Sequence, residues 1–167
     1  LTEVVLSVLA ALVYQQVKLS QWQWSSVKPF ILKEKNMANP NIVAVSTIYG
    51  KTTYLSPSAT TSVVLLPNAA SSGTVMKINQ VVAANKNGSA AVNCSVDLYT
   101  NGAVAQGSAP SGGTAYPIAS TISVPADASL IVVDKSTAIY LEEGSSIAVT
   151  CGTANGLTFS VSYELIS

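Results

Sequence analysis

From Val92 to Tyr99 the chain reads Val-Asn-Cys-Ser-Val-Asp-Leu-Tyr, apolar at alternate positions, and this rhythm restricts the fold more than anything else in it. A period of two places Val92, Cys94, Val96 and Leu98 on one side of an extended segment and polar residues on the other, the pattern of a half-buried strand. The C-terminal stretch follows the same rule, with Leu157, Phe159, Val161, Tyr163 and Leu165 opposed by Thr158, Ser160, Ser162 and Glu164. Weaker β-branched runs cover Ile42–Tyr49, Ser62–Leu66, Val75–Ala84, Ile118–Val124, Leu130–Val133, Ala138–Leu141 and Ile147–Cys151. Turn-forming residues separate them: Asn68 to Gly73, Asn85 to Gly88, Pro125 to Asp127 and Glu142 to Gly144. After Met37 no window carries a capped 3.6-residue period. The expected fold is therefore all-β, a β-sandwich or jelly-roll-like domain of about nine short antiparallel strands.

The rhythm begins only after a change of composition near Met37. Both tryptophans, Trp22 and Trp24, and one of the two phenylalanines, Phe30, precede it. Residues 37–167 are rich in Ser, Thr, Ala, Val, Asn and Gly, and form the expected single domain. The apolar run Val4–Tyr14 is shorter than the roughly 20 residues that cross a bilayer. Glu3 and Gln15-Gln16-Val17-Lys18 also make a poor signal peptide. Lys33-Glu34-Lys35-Asn36-Met37 can be encoded by AAG GAG AAA AAY ATG, a ribosome-binding sequence set just before a start codon. Residues 1–36 are thus expected to be translated leader outside the fold, with a membrane-directing or partner-binding segment as the alternative.

Missing residue types limit the chemistry. The chain has no histidine, and its eight basic residues are all lysine. That removes an imidazole base, Ser-His and Cys-His nucleophile pairs, histidine-ligated zinc, and the bidentate arginine clamp for phosphate. A formal charge of zero offers no electrostatic footprint for nucleic acid. Within residues 37–167, four lysines (Lys51, Lys77, Lys86, Lys135) stand against six acids (Asp97, Asp127, Asp134, Glu142, Glu143, Glu164). The expectation is a non-enzyme without metal or cofactor, and without nucleic-acid or membrane partners.

Among individual residues, Cys94 and Cys151 fall on the inward faces of expected strands and read as small buried hydrophobes. A disulfide between them would need adjacent strands in matched register, which a sequence cannot show. Glu142-Glu143-Gly144 and Asp134 are the densest acids, read as solvated turns because no Asp-x-Asp-x-Asp-Gly loop accompanies them. Residues 101–115 are rich in Gly, Ala and Ser and read as a mobile surface excursion between strands. The sequons Asn87-Gly88-Ser89 and Asn93-Cys94-Ser95 carry no meaning in a prokaryotic or viral product. Among the tyrosines of the body, which include Tyr54 and Tyr163, the candidates for an interface are Tyr49, Tyr99, Tyr116 and Tyr140.

Five segments carry a resemblance: Met37-Ala38-Asn39-Pro40-Asn41-Ile42-Val43 with Ile48-Tyr49-Gly50-Lys51-Thr52, then Ala119 to Asp127, Ile139-Tyr140-Leu141-Glu142-Glu143-Gly144, and Val161 to Ser167. Through them residues 37–167 resemble a family of small virion structural proteins of marine tailed bacteriophages, notably cyanophages. The resemblance implies a capsid decoration, neck, tail or fibre-associated subunit located in the virion. It also implies many copies, self-association as a homo-oligomer, and other virion proteins as partners. No active residue comes with it, and Cys94 and Cys151 lie outside the family pattern. The rival expectation is a carbohydrate- or receptor-binding β-sandwich on a virion or bacterial surface. That reading requires a glycan or host receptor and a stacked pair of exposed tyrosines beside residues 101–115.

Overall fold

The computed structural model describes residues 44–167. The expected leader, residues 1–36, lies outside the described residues, as does the segment 37–43 that opens the resemblance. Nine strands run through the described chain: β1 (Ile48–Leu55), β2 (Val63–Pro67), β3 (Val75–Asn85), β4 (Val92–Thr100), β5 (Thr114–Val124), β6 (Ser129–Val133), β7 (Ile139–Leu141), β8 (Ser146–Cys151) and β9 (Leu157–Ile166). They form two antiparallel sheets. The first has the order β1-β9-β3-β6, with β7 also paired to β3; the second has the order β2-β8-β4-β5. The all-β, sandwich-like expectation holds.

Burial follows the alternation. Leu157, Phe159 and Val161 of β9 and Ile78, Val81 and Ala83 of β3 share one apolar cluster with Val92, Cys94 and Val96 of β4 and Ile147, Val149 and Cys151 of β8. The chain passes between sheets at most connections, so inward faces distant in sequence meet in one core. Phe159 is the largest side chain with no exposed surface, and removing it would cost about 3–5 kcal/mol.

Strand boundaries differ from expectation at two places. The expected strand Ile42–Tyr49 begins only at Ile48 and runs on to Leu55, while residues 44–47 are not strand. β5 starts four residues early at Thr114 and carries Pro117, which an edge strand tolerates because half its backbone faces away from the sheet.

One polar expectation holds with an added role, and one is corrected. Asp134 is an exposed turn acid as expected, and it also caps the 3-10 turn Lys135–Thr137 that separates β6 from β7, accepting from the Ser136 and Thr137 amides at 2.7 and 3.2 Å. The hydrogen bond from the Ser136 hydroxyl, with those amides, holds its carboxyl below the ordinary aspartate value. Glu142 is exposed, but Glu143 is buried and accepts from the Gly73 amide, a partner 70 positions away.

Candidate functional site

A sandwich of two sheets has four edge strands, and each exposes unpaired backbone unless something covers it. Here the edges are β1, β2, β5 and the β6–β7 pair. The β6–β7 edge is interrupted by the Asp134-capped turn. The β5 edge is broken by two register shifts against β4 and by Pro117. The β2 edge is covered by the segment between β4 and β5.

That segment departs from expectation, because it is tied down along its length. The Ser146 hydroxyl donates to Gly102 O at 3.3 Å, and the Ala103 amide donates to Gly144 O. Further along, Gly107 N donates to Val64 O, and Val64 N donates to Ser108 O, both at 2.8 Å. These two bonds extend the ladder beyond β2. Gln106 then reaches the other sheet: its Nε2 donates to Leu65 O at 3.0 Å, to Tyr54 O at 3.2 Å and to the Thr53 hydroxyl at 3.0 Å. One amide therefore links β2 to β1. The segment leaves and returns through a tight base, since a Cβ at Gly113 would lie 2.3 Å from Thr100 O. Val64 and Ala148 confirm the cover. Their register partners them on the outward face of the second sheet, yet neither has exposed surface.

Among the described residues, β1 is left as the open edge. It pairs with β9 over eight residues in regular register, with no bulge and no proline. The Thr47–Ser167 backbone pair and the Gln106 bond to Tyr54 O fix the phase. Odd-numbered residues direct their backbone groups toward β9, and Ile48, Gly50, Thr52 and Tyr54 direct theirs outward. Among the described residues, nothing accepts or donates at the outward backbone of Ile48, Gly50 and Thr52.

Of these four, Ile48, Thr52 and Tyr54 place their side chains on the outer face of the first sheet, and Gly50 leaves a gap there. Tyr54 stands in a cross-strand row with Ser160, Val82 and Ile131. Gly50 stands in a second row with Glu164, Lys77 and Tyr140. Ile48, Tyr54, Ile131 and Tyr140 are all exposed on this face. Lys77 and Glu164 approach to 3.5 Å and neutralise one another. A hydrogen bond from the Asn79 amide, and then Lys77, holds the Glu164 carboxyl below its ordinary value. The face is thus apolar and hydroxyl-rich, with Lys77 and Glu164 paired and Lys135 close enough to act on Glu164 as well.

The four tyrosines singled out from sequence do not converge. Tyr49 (57% exposed) lies on the inward side of β1, opposite Leu165. Tyr116 (55%) lies on β5, opposite Leu98, and Tyr140 (49%) on β7, opposite Lys77. Tyr99 is half-buried, with Gly102 packed against its Cβ position. Tyr54, absent from that group of four, is the most exposed at 74%, and its direct partner is Ser160. No two of these rings are direct cross-strand partners. Tyr99 and Tyr116, which flank residues 101–113, belong to opposite faces of the second sheet.

Among the described residues, no three of His, Cys, Asp and Glu gather to hold a metal ion. No helix among them is long and apolar enough to cross a membrane. A scan against protein-family models found no match, and a search of curated proteins found none.

Proposed function

We propose that this chain is a non-enzymatic structural subunit of a tailed-phage virion, packing through the β1 edge and the outer face of the first sheet. The partners are further copies of the chain and neighbouring virion proteins. Support comes first from the open edge: among the described residues, one regular eight-residue strand is left unprotected while the other edges are bulged, interrupted or covered. Strand addition at such an edge gives affinity through main-chain hydrogen bonds, and adjacent side chains give specificity. Ile48, Tyr54, Ile131 and Tyr140 supply apolar contact beside it, and the paired charges raise little electrostatic barrier to a like surface. Association in many copies stabilises both the subunit and the assembly by mass action. The resemblance of residues 37–167 to small cyanophage-like virion proteins points in the same direction.

The carbohydrate- or receptor-binding reading has less support, because the exposed tyrosines sit opposite Leu165, Ser160, Leu98 and Lys77 rather than opposite one another. The test is light scattering on the full chain and on an Ile48→Lys/Gly50→Lys variant. A Cβ at Gly50 meets nothing within 4 Å, and Ile48 is exposed, so both lysines fit the folded subunit. The wild type is expected to self-associate and to sediment with phage particles, and the variant to lose both properties at unchanged melting temperature. A monomeric wild type that also fails to sediment with particles overturns the proposal.

A further inference from the structure

Cys94 and Cys151 are the chain's two cysteines, and the fold makes them direct partners across β4 and β8. Their pairing belongs to a specific class. Gly152 N donates to Asn93 O at 2.8 Å, which makes Asn93–Gly152 a hydrogen-bonded position. The neighbouring pair, Cys94–Cys151, is therefore of the non-hydrogen-bonded kind. There the Cα atoms stand about 4.5 Å apart and the side chains approach most closely. A disulfide requires a Cα separation of roughly 4.4–6.8 Å, a range that includes the typical spacing of such pairs.

Both side chains point into the core from the same face, and neither has exposed surface. They are free thiols in this structure. Cys151 is held by local bonds: its thiol donates to Thr153 O at 2.7 Å and accepts from the Leu157 amide at 3.3 Å. Burial, and then the neighbouring Cys151, push the Cys94 thiol up to about 11, so it is a poor nucleophile while the sheet is closed.

We infer that Cys94 and Cys151 are a modification site, joined as an intrachain cross-strand disulfide when the chain folds or opens in the presence of a small-molecule disulfide. One protein thiolate attacks a sulfur of the small disulfide, breaks its S–S bond and releases one small thiolate. The second protein thiolate attacks the protein sulfur of the mixed disulfide and expels the other small thiolate. Two protein thiols are oxidised, one small disulfide is reduced to two thiols, and the two protons pass to the leaving thiolates. Because the closed fold hides both sulfurs, exchange takes place before the sheets close or during opening. The product ties the two central strands of the second sheet and closes a loop of roughly 60 residues, restricting the unfolded chain.

The experiment refolds the full chain from denaturant with excess oxidised glutathione, and in parallel with dithiothreitol. Each sample is then denatured, treated with iodoacetamide, weighed intact and mapped by peptide digestion. The oxidised sample is expected to be monomer-sized on a denaturing gel, to take up no alkyl group and to yield a peptide linking Cys94 to Cys151. The reduced sample is expected to take up two alkyl groups. The native oxidised form is expected to melt higher by on the order of 10 °C. Dithiothreitol added to the denatured oxidised form should reverse the link, and a Cys94→Ala chain should show no oxidant-dependent shift. Two alkylatable thiols after oxidative refolding overturn the inference. So do stable glutathione adducts, chain-to-chain links in place of the internal one, or an internally linked form that melts lower than the reduced one.

Discussion

Replacing Asn68 by alanine tests whether the sandwich depends on one buried amide. Asn68 has no exposed surface and sits just after β2. Its Nδ2 donates to Thr74 O at 2.9 Å and to Leu141 O at 3.1 Å, while Oδ1 accepts from the Ser72 and Thr74 hydroxyls. Its backbone receives Gly144 N and donates to Ser145 O, both at 2.9 Å, and alanine keeps those two bonds. The loss therefore lies in the side chain. The bond to Leu141 O is buried, and an orphaned buried carbonyl costs about 1–3 kcal/mol. The bond to Thr74 O is only partly buried, so water replaces it and the net loss there is about 0.5–1.5 kcal/mol. The Ser72 and Thr74 hydroxyls lie within 2.9 Å of each other and keep a partner. The total is about 2–4 kcal/mol, a large share of the roughly 5–15 kcal/mol that holds a domain of this kind together. Asn68→Asp keeps the shape but turns a carboxylate toward two carbonyls, so it should cost more than alanine at neutral pH. The folded-state pKa of that new carboxyl is raised. Its penalty is absent below the unfolded value of about 3.9 and grows as pH rises through the folded value. Urea unfolding at neutral pH and near pH 4 measures both effects. Asn68→Ala within about 0.5 kcal/mol of wild type, or Asn68→Asp more stable than Asn68→Ala at neutral pH, refutes the reasoning.

Gln106→Ala removes the one amide that links β1 and β2, and should cost about 1 kcal/mol while opening residues 101–113 to proteolysis. Limited proteolysis followed by mass mapping checks this, and an unchanged digestion pattern counts against a bridging role. Kept reduced, the protein should lose stability as pH rises from the ordinary thiol value of 9.0 toward about 11, because the folded Cys94 thiol holds its proton when the unfolded one has lost it. Thermal melts across that range should fall more steeply for wild type than for Cys94→Ala, and parallel slopes would remove Cys94 as the cause.

How much of this was legible in the sequence depended on whether a strand buries one face. β4 and β9 could be read because Val92, Cys94 and Val96, or Leu157, Phe159 and Val161, must leave water while their neighbours stay in it. β1 was missed over Lys51–Leu55 because much of it is exposed on both sides and offers no alternation. The most exposed tyrosine, Tyr54, lies in this stretch, where the sequence gives no sign that it stands out from the other tyrosines. Residues 101–113 carry no hydropathy signal because backbone amides and Gln106 anchor them, and such contacts leave composition unchanged. Glu143 resembles any turn acid until the Gly73 amide arrives from a distant loop.

By itself the sequence determined the strand period, the strand number and the inward residues, since these follow from local geometry and from the cost of wetting apolar side chains. It also determined which reactive groups are absent, because a residue type that is missing cannot be supplied by folding. Which strands become neighbours is different, for it depends on how two twisted sheets close over a shared core. Among the described residues, only that closure left β1 open, sealed β2 with the 101–113 segment and buried Asn68 between two loops. The cysteines are the clearest case: alternation placed Cys94 and Cys151 inward, and the β4–β8 register alone set them opposite each other.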